Sequence, residues 1–325
     1  MPELKTLQQV KNELESIEPG VVAHDDADGI TSAVLLVLAG EADAESVMFV
    51  EQFGQYITPK DTMVDMRPLE GFKGICYDHH LGHPVNPPYT LIWDDVPTSL
   101  IIFRKFIDKI PKEHWWKVVV GINGDGQPEL IPPRIFKEFP ELLMMSSSFG
   151  WSTSEGRYTT WSYPIYSQLS AYINAAARSR QPELAFGILL EAESPFEIVE
   201  NEALGQMREA IAKRVNEVTK AAKIYSFGPF LLVYYQAEEK LGGRVAMKVG
   251  GNNATVLAIN ETTGEVSIRG DLATFLVEEL NKLGIGEFGG HPGFAGGLIE
   301  NRIDPKVLIK FIVRLLEGKI NGESH

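Results

Sequence analysis

The stretch Val21–Gly40, VVAHDDADGITSAVLLVLAG, sets the interpretation of the whole chain. Its first apolar residues predict a buried strand, and the apolar run Ile30–Ala39 predicts the helix that follows. In the loop between them, His24, Asp26 and Asp28 are spaced by two, so an extended backbone points these three side chains the same way. Acids held this close repel one another unless a cation neutralises them. We therefore expect a metal site here; a solvated turn with a helix-capping Asp is the alternative.

Acidic and histidine side chains recur after other apolar segments. Asp65 follows one such segment, the triplet Asp78–His80 follows the next, and Asp125 lies in the glycine-rich stretch 121–126, which we interpret as a loop. Ligands bind in open α/β folds beyond the carboxyl ends of the strands, where these residues would lie. We expect them to converge with the first loop on one site, whereas Asp25 points elsewhere.

The order of the predicted elements indicates an α/β fold in two parts. Short strands alternate with helical patterns in the first half, which predicts a largely parallel sheet. After a polar helical connector, the second half predicts a smaller α+β unit around a mostly antiparallel sheet, with one strand at Arg244–Val249. The resulting boundaries are residues 1–195 for the first domain, 196–225 for the helical linker and 226–325 for the second domain.

The segment Met144–Tyr166 mixes Ser, Thr and Gly with aromatic residues and predicts an irregular surface segment. Its aromatic side chains would pack on one another or against a second subunit, so a homo-oligomer is one expectation. The alternative is a base-stacking wall beside the active site.

Composition narrows the class of protein. The 325 residues are enough for two domains. A formal net charge of −14 argues against a general duplex-DNA binder, although residues 208–269 hold more basic than acidic side chains. No apolar stretch reaches the roughly 18 residues of a membrane span, and the polar N-terminus lacks the apolar core of a secretory signal. We therefore expect a cytoplasmic protein that does not enter a membrane.

The candidate ligands are carboxylates and imidazoles without a thiolate, since the chain has one cysteine, Cys76. Such a set suits Mn²⁺, with Mg²⁺ as the alternative, better than structural zinc. Two histidines and four aspartates are too many ligands for one ion and about right for two. Two metal ions roughly 3.5–4 Å apart are the usual device for phosphoester hydrolysis.

Four segments resemble, in the family's order, the motifs of the DHH phosphoesterase superfamily: HDDADGITSA from His24, TMVDMRP from Thr62, YDHHLGHP from Tyr77 and VGINGDGQ from Val120. In the second half, SIRG and GGHPGFAGG resemble the substrate motifs of the DHHA1 domain. The resemblance spans residues 21–297. It is greatest to archaeal RecJ-like exonucleases, among them the Hef-associated nucleases, and to bacterial nanoRNases. It implies an N-terminal DHH domain that holds two metals and a C-terminal DHHA1 domain that binds substrate.

The resemblance also implies a role for the motif residues of the first half. The first ion would be bound by His24 and Asp26, the second by Asp28, His79 and Asp125, and both by a bridging Asp65. His80 would contact the scissile phosphate. Asp78 would orient His79, as carboxylates often do for imidazoles that bind a metal.

In the second half, the resemblance implies that Arg269 and His291 contact substrate phosphates. Gly289 and Gly290 would let the backbone approach that anion closely. The family usually has two alanines after the histidine of this motif, whereas this chain has Phe294 and then alanine. We expect Phe294 either to stack on a terminal base or to fill space.

Three further residues have structural interpretations, and for one of them a functional alternative is also open. His83 belongs to no motif, and we expect its ring to bond to the backbone of its loop. Cys76 precedes the DHH segment and is expected to be a small buried hydrophobe. Arg244, on its predicted strand, is expected to be either a solvated charge or a phosphate contact.

The leading hypothesis is a Mn²⁺-dependent phosphodiesterase that releases nucleoside 5′-monophosphates from an end of single-stranded RNA or DNA, with 3′→5′ polarity favoured by the resemblance. Longer RecJ relatives add an oligonucleotide-binding barrel that is not evident here, which suggests short oligonucleotides. A second hypothesis keeps the metals but changes the substrate to 3′-phosphoadenosine 5′-phosphate or a cyclic dinucleotide. The third is a catalytically silent replication or repair adaptor, against which the intact ligand motifs argue. A Hef-type helicase or nuclease would be the DNA-repair partner of a catalytic protein or of such an adaptor.

Overall fold

The structure is a computed structural model, and it describes residues 20–50, 62–68, 71–80, 82–152, 157–251, 254–291, 293–299 and 305–320. The N-terminal residues that were assessed for a secretory signal lie outside these ranges. Within the ranges, every helix is too short or too polar to cross a membrane.

The first half of the described chain contains a five-stranded sheet in the order β2-β1-β3-β4-β5, in which all neighbours run parallel. Its strands are β1 (Val21–His24), β2 (Val47–Val50), β3 (Thr62–Val64), β4 (Ile75–Asp78) and β5 (Thr90–Trp93). The chain places β2 on one side of β1 and β3 on the other. The strand order therefore reverses at β1, and such a switch point opens a crevice at the carboxyl ends of β1 and β3.

Helices cover this sheet: α1 (Ala27–Leu38), α2 (Thr98–Phe106), α3 (Val118–Gly124), α4 (Pro133–Glu138), α5 (Leu169–Arg178), α6 (Pro182–Glu191) and α7 (Pro195–Val199). Helix α1 is buried from Ala27 to Leu36 and lies at the centre of the first hydrophobic core. Such complete burial is possible because other helices and the sheet surround this largely apolar helix.

The second half contains a six-stranded sheet in the order β12-β13-β11-β10-β9-β8 among the described residues. Its elements are β8 (Lys223–Phe227), β9 (Phe230–Tyr235), α9 (Gly242–Gly250), β10 (Thr255–Asn260), β11 (Glu265–Gly270), α10 (Ala273–Lys282), β12 (Gly286–His291), β13 (Gly293–Ile299) and α11 (Pro305–Ile320). Only β9 and β10 pair in parallel among these described strands, with α9 in the crossover between them. The expected fold class, a parallel α/β sheet followed by a mostly antiparallel α+β unit, is confirmed.

Between the two sheets runs α8 (Glu202–Ala221), where the sequence predicts a helical linker. Leu204 at its start is buried in the core of the first sheet, whereas Ile211, Val215 and Val218 are buried against the second sheet. This helix is therefore a shared structural element rather than a bare connector. The boundaries at residues 195 and 225 stay predictions.

Three local predictions were wrong. Met144–Tyr166 is not irregular, because β6 (Met145–Ser152) and β7 (Arg157–Pro164) form an antiparallel hairpin. Arg244–Val249 is not a strand but part of α9, where Val245 and Ala246 are buried and Met247 is exposed. The glycine-rich stretch before Asp125 is not a loop, because residues 121–124 form the end of α3.

Candidate active site

The candidate site begins at the carboxyl end of β1. His24 Nδ1 lies 2.9 Å from Asp26 Oδ2 and 3.6 Å from Asp65 Oδ2. The other oxygen of Asp26 accepts the backbone N–H groups of Asp28 and Gly29 and so caps α1. Asp26 therefore acts as the helix cap that the sequence offered as an alternative, and it still directs one oxygen toward His24.

Asp65 lies just beyond β3, next to β1 in the sheet. Its backbone has a φ of 62°, in the left-handed region that Asp tolerates better than most residues, and its N–H donates to the carbonyl of Tyr77 at 2.9 Å. The carboxylate is buried, with Oδ1 3.2 Å from His79 Nε2 and Oδ2 directed toward His24. The two oxygens of Asp65 thus face two different groups of side chains.

The second of these groups contains Asp28, His79 and Asp125, whose ligand atoms lie within 4.8 Å of one another. His79 Nε2 is 3.3 Å from Asp125 Oδ2. Asp28 is fully buried, and its two oxygens accept the N–H groups of Thr98 and Ser99 at the start of α2, at 2.7 Å and 3.1 Å. These bonds hold the carboxylate in place because the first N–H groups of a helix have no partner within it.

Helix α3 brings Asp125 close to Asp28 because glycines line its contact with α1. A Cβ atom at Gly121 would lie 2.5 Å from Asp28 Oδ1, and one at Gly124 would lie 2.9 Å from the Cβ of Ala27. Larger residues would push α3 away from α1. Asp125 then follows as the residue that ends α3.

The donor set fits divalent cations. His24, Asp26 and Asp65 form one group with ligand atoms within 4.8 Å, and Asp28, His79 and Asp125 form a second. Asp65 and His79 also form such a group with His80. Two buried atoms in these groups, His24 Nδ1 and Asp125 Oδ2, have no hydrogen-bond partner although opposite charges lie close by. A buried polar atom without a partner is costly, and a cation bound there would remove that cost.

The electrostatics of the cluster follow from burying several acids together. Burial and the charge of Asp65 raise the pKa of Asp28 to about 8, and burial and the charge of Asp28 raise the pKa of Asp125. Burial alone would raise the pKa of Asp65, but the adjacent imidazoles of His24 and His79 lower it well below the usual range. Groups with strongly shifted pKa values that lie together in a crevice commonly belong to a functional site.

The neighbouring acids favour the protonated form of both histidines. Burial alone would lower the pKa of His79, but its hydrogen bond to Asp65 and the neighbouring acids raise it to about 10. Burial alone would also lower the pKa of His24, but the charge of Asp26 raises it above its ordinary value. The cluster therefore holds protons at the nitrogens that a metal ion would occupy.

Asp78 organises the DHH segment. It accepts the backbone N–H groups of His79 at 2.8 Å and of His80 at 3.2 Å, and its Oδ1 lies 2.7 Å from His80 Nδ1. Its Oδ2 lies 2.9 Å from His83 Nε2, and the other nitrogen of that ring lies 2.8 Å from the Tyr89 hydroxyl. The expectation that His83 bonds to backbone is wrong, because its partners are a carboxylate and a hydroxyl.

An ionised carboxylate only accepts hydrogen bonds. The ring nitrogens that face Asp78, His80 Nδ1 and His83 Nε2, therefore carry the protons of these hydrogen bonds. Burial alone would raise the pKa of Asp78, but the charge of His80 and hydrogen bonds from His80 and His83 lower it below the usual range. Cys76, beside this network, is buried and its thiol donates to the carbonyl of Met66 at 3.5 Å. Burial raises the pKa of the Cys76 thiol, so it remains protonated, in agreement with the expected buried hydrophobe.

Arg269 of β11 contributes the guanidinium group of the second half. Its Nη1 donates to the carbonyls of Ile268 and Ala295, its Nε is buried without a hydrogen-bond partner, and the group lies over the ring of Phe294 at 5.2 Å. Burial lowers the pKa of Arg269 to about 10. The backbone of His291 pairs with that of Phe294, so the residues expected to contact phosphate flank Phe294 in the sheet.

Neither a family model nor a curated protein matches this sequence. RecJ from Thermus thermophilus in complex with Mn²⁺ matches 97% of the chain with a TM-score of 0.58 and 18% identity, and the chain spans 54% of the length of that RecJ. An exonuclease RecJ bound to manganese matches 96% of the chain, over 94% of its own length, with a TM-score of 0.54 and 17% identity. The chain has the fold of RecJ. This confirms the resemblance to the DHH phosphoesterases at the level of the fold.

A third solved structure, the pGpG-specific phosphodiesterase PggH from Vibrio cholerae, matches 94% of the chain and 100% of its own length, with a TM-score of 0.50 and 14% identity. The match therefore covers the full length of PggH as well as most of the present chain.

In this RecJ-like fold, Arg67 and Gly289 of the second half lie close to each other across the crevice. Arg67 follows Asp65 in the chain, and its Nη2 lies 3.4 Å from the Cβ position of Gly289. Gly290 has a φ of 148°, and a Cβ atom there would lie 2.4 Å from Ala295 Cα. Close pairing of β12 with β13 thus supplies a reason for glycine at 290 in addition to the expected approach of an anion.

Sequence reasoning missed a further arginine on the first-half side. Arg178 ends α5, and its pKa is lowered to about 10 by burial and by the nearby charges of Arg244 and Arg269, while Asp26 acts in the opposite direction. The charges of Arg244 and Arg269 from the second half, and of Asp26 from the acidic cluster, therefore act on Arg178. No motif contains Arg178, and no local spacing signal could have singled it out.

Proposed function

We propose that this chain is a metal-dependent phosphodiesterase that removes nucleotides from an end of short single-stranded RNA or DNA. The observation that carries the proposal is the position of Asp65, whose two oxygens face His24 on one side and His79 on the other. One acid shared between two groups of ligands is what a pair of metal ions in a phosphoesterase requires.

In this proposal the first ion would be held by His24, Asp26 and Asp65, and the second by Asp28, His79, Asp125 and Asp65. Each group contains one imidazole besides its carboxylates, which favours Mn²⁺ over Mg²⁺. Divalent ions held there would supply an activated water and neutralise the charge that develops on the phosphate.

The protein's own residues position the substrate. Asp78 holds the proton of His80 on Nδ1, so Nε2 is the ring nitrogen that can exchange a proton with the scissile phosphate or the leaving oxygen. Because His83 holds the second oxygen of Asp78, the carboxylate cannot rotate away from His80 without losing that bond.

The arginines would bind the phosphates on the two sides of the scissile bond. Arg269 comes from the proposed second domain, residues 226–325, and Arg178 from the proposed first domain, residues 1–195. Guanidinium groups form charge-assisted hydrogen bonds with phosphate oxygens, often in pairs. An anionic chain between the domains would also relieve the repulsion among Arg178, Arg244 and Arg269 that, together with burial, lowers the pKa of Arg178.

A second candidate keeps the site and shortens the substrate to a dinucleotide or another small nucleotide, such as a cyclic dinucleotide or 3′-phosphoadenosine 5′-phosphate. The match to PggH over its whole length favours it. So do the contacts that cross the crevice, such as Arg67 with Gly289, because they leave less room for a long strand.

A time course with a 5′-labelled short single-stranded oligonucleotide, as RNA and as DNA, tests the proposal in Mn²⁺, in Mg²⁺ and in chelator. A ladder that shortens from the 3′ end would establish the exonuclease with the expected polarity, and immediate release of a labelled mononucleotide would reverse that polarity. Intact oligonucleotides with cleavage of pGpG or of 3′-phosphoadenosine 5′-phosphate would establish the second candidate.

Absence of metal-dependent cleavage in all of these reactions would refute both candidates and favour the adaptor hypothesis. Asp25→Asn is the matched control for the acidic loop, because Asp25 lies next to Asp26 and belongs to neither ligand group. We expect this variant to bind Mn²⁺ as tightly as the unchanged protein.

A further inference from the structure

Phe294 is an exposed aromatic residue at the edge of the candidate site. Its side chain is 47% exposed, whereas Ala295 beside it in β13 is buried. In the sheet register, Phe294 lies between Arg269 on β11 and His291 on β12. The ring therefore occupies the middle of the row that carries the residues expected to contact substrate phosphates.

Two contacts fix where the ring lies. The guanidinium of Arg269 covers it at 5.2 Å from the ring centroid, which is within the range of a cation–π interaction. Its Cζ atom lies 3.9 Å from the Cβ position of Gly126, the residue that follows Asp125. The Phe294 ring thus reaches from the second sheet across the crevice to the edge of the acidic cluster.

The backbone conformation at Gly126 restricts the type of residue that can occupy this position. Gly126 has a φ of 71°, a conformation that residues with a side chain rarely adopt, and a side chain there would point at the Phe294 ring. The chain therefore keeps the space beside Asp125 open in front of an aromatic ring. Filling space does not explain a ring that is nearly half exposed, since the apolar surface it leaves in water costs free energy.

We infer that Phe294 stacks on the nucleobase next to the scissile phosphodiester, while Arg269 binds the phosphate of the same nucleotide. An aromatic face stacks on any base, and a cation beside it binds the backbone, which is a common combination in proteins that bind single strands. The inference rests on the proposed function and deepens it, because it restricts the substrate to nucleotides that carry a base at that position.

The test compares two oligonucleotides that differ only in whether the nucleotide removed first carries a base or is abasic. We expect Phe294→Leu, which retains apolar volume but lacks a stacking face, to lower kcat/KM by about tenfold or more on the oligonucleotide with the base. On the abasic oligonucleotide the variant should equal the unchanged protein. Phe294→Trp should retain the preference for the base, because its ring also stacks.

Two outcomes would overturn the inference while the proposed function stands. Equal losses of Phe294→Leu on both oligonucleotides would mean that the ring supports the structure of the crevice, and no loss on either would mean that it does not touch the substrate. Failure of the unchanged protein to cleave either oligonucleotide would instead refute the exonuclease proposal on which the inference rests.

A binding measurement gives a second readout that does not require cleavage. We expect 2-aminopurine at the nucleotide removed first to lose fluorescence when the unchanged protein binds in Ca²⁺, because stacking quenches this base. The quenching should be absent in Phe294→Leu at saturating protein, and quenching that persists there would overturn the inference. Mn²⁺ affinity and the thermal unfolding midpoint of the variant should match those of the unchanged protein, which separates loss of stacking from loss of fold.

Discussion

Asp25 Oδ2 lies 2.6 Å from Lys240 Nζ, and this ion pair joins residues that are 215 positions apart in the sequence. Asp25 lies between His24 and Asp26, and its side chain points away from the ligand cluster, as its offset by one residue predicts. Lys240 lies between β9 and α9, the helix that carries Arg244. The pair therefore links the loop of candidate ligands directly to the basic part of the second half.

We expect Lys240→Met to raise KM for an oligonucleotide several-fold and to leave Mn²⁺ affinity unchanged, because the ion pair positions the second half and binds no metal. Both side chains are mostly shielded from water, so the double-mutant cycle with Asp25→Asn should show a coupling of about 1 kcal/mol in kcat/KM. If the effects of the two substitutions on kcat/KM are additive, the ion pair has no such role.

Asp65→Asn tests the shared acid. Asn also tolerates the left-handed backbone at this position, so the substitution removes the charge without the strain that alanine would add. We expect kcat to fall by more than about 100-fold with every substrate, because both proposed ions lose a ligand. The measurement is turnover together with Mn²⁺ titration, and near-normal turnover would contradict the assignment. Asp94→Asn, at an exposed carboxylate outside the ligand groups, serves as the control for turnover, and Asp25→Asn serves as the control for Mn²⁺ titration only.

Metal binding should depend on pH. Without metal, His79 has a pKa of about 10 and Asp28 a pKa of about 8, so at neutral pH both hold protons that a metal ion must displace. Lower pH favours the protonated, metal-free cluster, and we expect Mn²⁺ affinity to rise as pH increases from 6 to 8, by about tenfold per pH unit for each proton released. Calorimetry in buffers of different ionisation enthalpy measures the protons, and an affinity that does not change with pH would refute the expectation.

His83 should act through Asp78. Its removal in His83→Ala leaves one buried oxygen of Asp78 without its partner, which loosens the carboxylate that fixes His80. We expect kcat to fall by about 10–100-fold with little change in KM, the range typical of groups that orient a ligand. Tyr89→Phe removes the other partner of the His83 ring and should have a much smaller effect. Equal effects of the two variants would contradict this hierarchy.

Arg178 and Arg269 should contribute to substrate binding from opposite halves of the chain. We expect Arg178→Ala and Arg269→Ala each to raise KM by about tenfold or more, because each removes hydrogen bonds to a charged phosphate. Mn²⁺ binding should be unchanged in both variants. Arg104→Ala, which removes a surface ion pair with Asp94, is the control and should be neutral. Loss of Mn²⁺ from either variant would place that arginine in the metal site.

The wrong local predictions have a common cause in short patterns that fit two structures. Val245, Met247 and Val249 alternate along the chain as the residues of a strand do, yet α9 exposes Met247 and buries Ala246. The glycines before Asp125 are typical of a loop, but in α3 they let two helices approach closely. Local composition could not distinguish these cases because packing against distant residues decided them.

The sequence by itself determined the chemistry of the candidate site, because the types of side chain and their spacing after apolar segments are local properties. His24, Asp65 and the triplet Asp78–His80 could be named from these properties alone, and the family resemblance implied that His79 is the ligand within the triplet. Only the tertiary structure decided that the oxygens of Asp65 face two groups, that Arg178 joins Arg269, and that Phe294 reaches Gly126. Contacts between distant residues depend on how α8 and the two sheets pack, and no local spacing encodes that arrangement.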